Sequence, residues 1–228
     1  MSKSIKKIVT IAFCVFCCFF ATIAFGADVP TWTSLLRKYH ADETVRTVIF
    51  VQYMEGSSAQ VLLYQKDKDN SDAWTLLLQC EAFVGKNGIS FDRQEGDGTT
   101  PCGDFGVIEA VGRKKNPGTK IPYRTTDNDL FCSGAHDENY NKIVSKKEIN
   151  HVCNEDCISH LYATSPQFNY CLFLDFNKEC VIGKGSGIFF HCMGPNSYTE
   201  GCVAVSEENM KRILQLADKN VRICIYPK

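Results

Sequence analysis

The sequence predicts a single, mainly β domain with a few short helices, and three observations carry that class. Apolar runs rich in β-branched and aromatic residues, such as "TVIFVQYM" and "AQVLLYQK", recur along the chain and are separated by turn-forming clusters such as "EGSS" and "KNG". The stretch "RQEGDGTTPCGDFGVIEAVGRKKNPGTKIPYR" is dense in glycine and proline, which suits turns and short strands and excludes a long helix. Helical patterning is clear in only two segments, one near each end of the chain, with room for one further short helix between them.

Taken in order, the first 26 residues read as a secretory signal. Lys3, Lys6 and Lys7 precede the apolar run "IVTIAFCVFCCFFATIAFG", and Ala24-Phe25-Gly26 offers small residues for cleavage ahead of Ala27. An uncleaved membrane anchor is the alternative, because the run approaches the roughly 18–20 apolar residues of a spanning helix. Cleavage removes three lysines and no acids, so 25 basic side chains fall to 22 against 26 acidic ones and the net charge becomes about −4. Such a balance argues against nucleic acid and against an anionic membrane surface as partners. An N-terminal segment, residues 27–46, contains "TWTSLLRKY", a short helix docking Leu35, Leu36 and Tyr39. The main domain, residues 47–228, starts with "TVIFVQYM" and "AQVLLYQK" as a hairpin, followed by a strand in "AWTLLLQCEAFVG". From about Thr125 to Gln167 the pattern is polar and irregular, with room for one short helix. "YCLFLDFN", "SGIFFHC" and "GCVAV" are candidate buried strands. "SEENMKRILQLADKN" is the second helix, with Ser206 as N-cap, Glu207 and Glu208 in its first turn, and Met210, Ile213, Leu214 and Ala217 at helical spacing. "VRICIY" closes the chain as a strand.

Thirteen cysteines are present, three of them (Cys14, Cys17, Cys18) in the signal. The ten that remain are even in number and would sit in a compartment where disulfides persist, so all of them can pair; if Cys202 is a free thiol, at least one more must be free. The connectivity is not legible in the spacing.

The stretch "HCMGPNSYTEGC", His191 to Cys202, is the candidate for chemistry. A hairpin turning at Asn196-Ser197 sets His191 opposite Cys202, with Cβ atoms about 4.5–5.5 Å apart, a reach that lets an imidazole take a thiol proton. A thiol is only a few per cent ionised at neutral pH and gains from such a base. Gly201 leaves the backbone before the sulfur unobstructed, so amides near Gly201 and Cys202 can face an oxyanion. The spacing alone leaves the bland reading open: a buried or disulfide-bonded cysteine on an apolar strand, and a strand-end histidine.

At "GKGSGIFFHCMGPNSYTEGCVAVSEENMKRIL" the sequence resembles the catalytic segment of the YkuD-type L,D-transpeptidases. The resemblance extends back through "EGDGTTPCGDFGVIEAVG", "NPGTKIPYR", "DNDLFC", "ENYNKIV" and "FNYCLFLDFN", covering roughly Val48 to the C-terminus. It implies a β-sandwich-like catalytic fold, with His191 and Cys202 catalytic and Thr199 and Gly201 supporting. Substrate contact is assigned to Glu200, Tyr123 and Arg124. The implied reaction is acyl transfer from a peptidoglycan stem peptide: Cys202 attacks the bond between the third, L-centred residue and the terminal D-alanine, and the thioester passes to an amine of another stem, a free D-amino acid, a lipoprotein lysine, or water. No metal or organic cofactor is implied, and the protein is expected to be exported and monomeric. Two positions depart from the family pattern: Glu200 stands where many members have histidine, and Ala204 where many have arginine.

Other constellations weigh less. "HVCNEDCISH" places His151, Cys153, Cys157 and His160 at spacings that mimic a zinc site, but the cysteines equally suit pairing, and no metal is assigned. Arg113, Lys114, Lys115, Lys120 and Arg124 form a basic cluster read as a solvated loop, with a clamp for stem carboxylates as the alternative. "EGDGTTPCGD" lacks calcium-loop spacing. Papain-like peptidases carry cysteine before histidine, and sortases separate the two further. The non-enzymatic rival is a secreted, disulfide-stapled binding domain in which Cys202 pairs with a neighbour such as Cys192.

Overall fold

A computed structural model describes residues 30–67, 73–149, 158–161 and 166–228, with the backbone alone for Ile158–His160. The segment read as a secretory signal and His151, Cys153 and Cys157 lie outside the described residues, as does the His160 side chain. Helix α1 (Trp32–His40) is followed by β1 (Thr47–Glu55), β2 (Ser58–Lys66), β3 (Trp74–Phe83), β4 (Ile89–Ser90), β5 (Thr100–Pro101), β6 (Gly103–Phe105), β7 (Val107–Gly112) and β8 (Tyr123–Thr125). Then come β9 (Leu130–Ser133), β10 (Lys142–Ser145), β11 (Ile158–His160), β12 (Cys171–Leu174), β13 (Phe189–Cys192), β14 (Val203–Val205), helix α2 (Glu207–Leu216) and β15 (Arg222–Pro227).

Among the described residues, ten strands form one mixed sheet in the order β6-β15-β1-β2-β3-β14-β13-β12-β7-β8. The two-residue period of a strand sorts its side chains. On β1, Ile49 and Val51 join the main core, while Val48 and Phe50 face the other way and receive Leu35 and Tyr39 of α1. On β12 and β13, Leu172, Leu174, Phe190 and Cys192 enter the main core, while Cys171, Phe173 and Phe189 build a second cluster on the opposite face. The sheet curls, because Phe105 at its β6 edge meets Phe176, just after β12, edge-on at 5.9 Å, and the Gly106 amide donates to Asp175 Oδ1 at 2.7 Å. Helix α2 fills the concave side with Met210, Ile213 and Leu214, all fully buried. Burying each such side chain contributes about 1.5–3 kcal/mol. Its N-terminus is capped by Ser206 Oγ, which accepts from the Asn209 amide at 3.2 Å, and Glu207 and Glu208 complement the helix dipole there.

Two expectations need correction. The segment read as irregular, Thr125 to Gln167, contains a separate three-stranded sheet in the order β10-β9-β11. Its strands are only three or four residues long, and β9 is buried throughout, so no alternation marks it in the sequence. The hairpin expected between His191 and Cys202 does not form: β13 and β14 pair in parallel, with Phe190 level with Val203 and His191 level with Ala204. Both strands are buried on both faces, as parallel strands usually are. The chain between them spends its turn residues crossing back over the sheet, so Asn196-Ser197 lies within a crossover and not at a hairpin tip.

Candidate active site

Strand β13 sets His191 and Cys192 on opposite faces. The Cys192 thiol points into the main core and donates to the Tyr170 carbonyl at 3.4 Å. The His191 ring lies on the other face, 7% exposed, against Phe168 at 5.7 Å between ring centroids. Its Nδ1 is 2.8 Å from the Cys192 carbonyl oxygen. A carbonyl only accepts, so Nδ1 carries the proton and Nε2 keeps its lone pair. Burial lowers the imidazole pKa from its usual value, and the bond to the Cys192 carbonyl opposes this only in part.

Cys202 lies one residue before β14, half-buried against the second cluster. Its sulfur accepts from the Phe189 amide at 3.4 Å and donates to the Gly187 carbonyl at 3.5 Å. Burial pushes the thiol up to about 11, while the Phe189 N–H and the Arg93 guanidinium pull it down. At rest the pair is therefore a neutral thiol and a neutral imidazole.

The backbone carrying the sulfur is held from two sides. Thr199 Oγ1 and Thr100 Oγ1 donate to the Cys202 carbonyl at 2.7 and 3.0 Å. Thr199 is itself laced to the end of β3, its amide on the Val84 carbonyl at 2.9 Å and its carbonyl receiving the Lys86 amide at 2.8 Å. Gly201 has φ +139°, in the region that favours glycine, and a Cβ there would lie 2.8 Å from both the Thr99 carbonyl oxygen and Arg93 Cζ. The Gly201 amide donates to Thr199 Oγ1 at 3.1 Å, so in this conformation it is engaged and does not face an oxyanion.

His191, Cys202, Thr199 and Glu200 line one recess of about 210 Å³ together with Gln167, Phe168, Gly194, Tyr198 and Ala204. At the rim, exposed Glu200 pairs with Lys86 at 2.6 Å. Tyr123 and Arg124 are not among the lining residues. They sit on β8, the edge strand three places from β13, where Tyr123 Oη donates to the Lys114 carbonyl at 2.6 Å and Arg124 makes a two-pronged bond to Glu109 at 2.7 and 3.0 Å. Of the basic cluster, Lys114 also pairs with Glu207. The sequence reading missed Thr100, Phe168, Gly187 and Arg93. Nothing about them stands out locally, since each acts through a contact made only when distant segments meet.

The eight described cysteines, Cys80, Cys102, Cys132, Cys171, Cys180, Cys192, Cys202 and Cys224, are all free thiols. The pairing expected from their even number is therefore not seen among the described residues, nor is a Cys192–Cys202 bond, whose sulfurs lie on opposite faces of the sheet.

A family model, YkuD, the L,D-transpeptidase catalytic domain, matches residues 47–225. The chain belongs to this family. Among solved structures, an L,D-transpeptidase from Mycobacterium smegmatis is similar at 10% identity with a TM-score of 0.37, covering 79% of this chain; this chain spans 58% of that one. No curated protein matches.

Proposed function

We propose that the protein is an exported cysteine acyltransferase of peptidoglycan, cleaving the bond between the third, L-centred residue of a stem peptide and its terminal D-alanine. The observation that carries the proposal is the free Cys202 sulfur sharing one recess with the Nδ1-protonated, Nε2-free imidazole of His191. As the sulfur attacks the carbonyl carbon, Nε2 takes the thiol proton and returns it to the departing D-alanine amine, leaving a thioester on Cys202. The raised thiol and lowered imidazole keep the proton on sulfur until substrate enters. The developing oxyanion is assigned to the Cys202 amide, because the Gly201 amide is already bonded to Thr199. The thioester then passes to an amine, giving a cross-link, exchange or attachment of a lipoprotein, or to water.

The test is to incubate the protein and its Cys202→Ala variant with a carbapenem and with a disaccharide tetrapeptide and to read intact mass and products. A drug adduct confined to the parent, with D-alanine released, supports the proposal, and dimer against tripeptide products separates transfer from hydrolysis. Absence of adduct and turnover, with Cys202 recovered in a disulfide, would favour the binding-domain alternative.

A further inference from the structure

Arg93 is 5% exposed in the loop between β4 and β5. Burying a guanidinium costs several kcal/mol unless it is well paired, so its position calls for a reason. The pairing is partial: Nη1 donates to the Thr99 carbonyl and, at 3.2 Å, to Asp97 Oδ1, while Nε is buried with no hydrogen-bond partner among the described residues. Asp97 divides its charge, also accepting from the Gln94 amide, the Thr99 amide and Thr99 Oγ1, each at 2.8 Å. The carboxylate side chain is 26% exposed against 3% for the arginine, so water screens the acid better than the base.

The buried end of this pair faces the nucleophile turn. The guanidinium lies against Gly201 so closely that a Cβ would collide with it, and Cys202 is the next residue. The same loop ends in Thr100, whose hydroxyl holds the Cys202 carbonyl. A neutral donor would satisfy the Thr99 carbonyl without the cost of a buried charge. Among the described residues, the other ionisable groups around the sulfur are His191 on β13, Cys132 on β9 and Cys171 on β12. All are neutral near pH 7, since burial lowers the imidazole and raises both thiols. At the rim the Glu200 and Lys86 charges offset one another.

We propose that Arg93 is a positioning residue that fixes the Gly201-Cys202 turn and supplies a permanent positive charge favouring the Cys202 thiolate, with Asp97 setting how much of that charge the sulfur feels. The inference rests on Cys202 being the nucleophile. This field also pulls the thiol down against burial.

The experiment is the pH profile of Cys202 alkylation by iodoacetamide, mapped by peptide mass in the parent, Arg93→Lys, Arg93→Met and Asp97→Asn, each checked for folding by circular dichroism and thermal melting. Arg93→Met should move the midpoint up by about one unit and slow alkylation at pH 8 about fivefold to tenfold, while Arg93→Lys restores most of the rate. Asp97→Asn should move the midpoint down, a direction that a purely structural role does not give. An unmoved midpoint in folded Arg93→Met, or an upward shift in Asp97→Asn, overturns the inference. If Arg93→Met does not fold, the sign of the Asp97→Asn shift decides. Alkylation needs no turnover, so a parent that releases no D-alanine would sink the acyltransferase reading while these midpoints still report on Arg93.

Discussion

Replacing Gly201 with alanine tests whether the turn that carries Cys202 is built on close approach. At φ +139° an alanine is strained by about 1–3 kcal/mol. Its Cβ would also lie 2.8 Å from the Thr99 carbonyl oxygen, a backbone atom that cannot swing aside, and would press on the Arg93 guanidinium. Relieving such overpacking costs about 1–3 kcal/mol more. The expected loss is therefore about 2–6 kcal/mol, or a fall in Tm of about 5–20 °C for a chain of this size. Any relief moves the Cys202 carbonyl away from Thr100 and shifts the sulfur with it, and displacement by about 1 Å costs on the order of a hundredfold in rate. Thermal melting and the rate of carbapenem acylation measure the two effects. A Tm within about 2 °C of the parent together with acylation within about twofold would refute the reasoning.

Further outcomes follow from the same geometry. Cys202 has a raised folded pKa, so its contribution to stability is complete below the unfolded thiol value and is lost as pH rises through about 11; His191 has a lowered one, so its contribution holds above about 6.5 and is lost as pH falls. Denaturant unfolding across pH should show a plateau between about pH 7 and 8.5, with a fall on both sides, and a monotonic rise up to pH 11 would contradict it. Arg124→Ala should cost about 0.5–1 kcal/mol through its half-exposed pair with Glu109 and leave acylation unchanged; a loss of tenfold or more in acylation would return Arg124 to the substrate site. Leu172→Ala, fully buried between β7 and β13, should cost about 2–5 kcal/mol in chemical denaturation, whereas Ser206→Ala should cost about 1 kcal/mol by losing the α2 cap; the reverse order would mean that helix α2 is held chiefly by its end.

Much of this molecule was legible along the chain. Both helices, the Ser206 cap, the β1–β2 hairpin and the buried strands β12 and β13 are written in periods and cap residues, because local patterning repeats within a few residues. The family and the residue types of the candidate site followed from "HCMGPNSYTEGC" and its surroundings. The three-stranded sheet did not, since strands this short carry too little pattern to outweigh their polar neighbours.

The sequence by itself determined the mainly β class, the positions of the two helices and the cysteine and histidine on which the proposed chemistry rests. Only the tertiary structure decided that β13 and β14 run parallel, that His191 is level with Ala204 and that Cys192 and Cys202 lie on opposite faces. It also brought Thr100 and Arg93 to the turn before Cys202. The physical reason is that strand direction, register and the burial of a charge are set by which distant segments share an interior, and no local period encodes that choice.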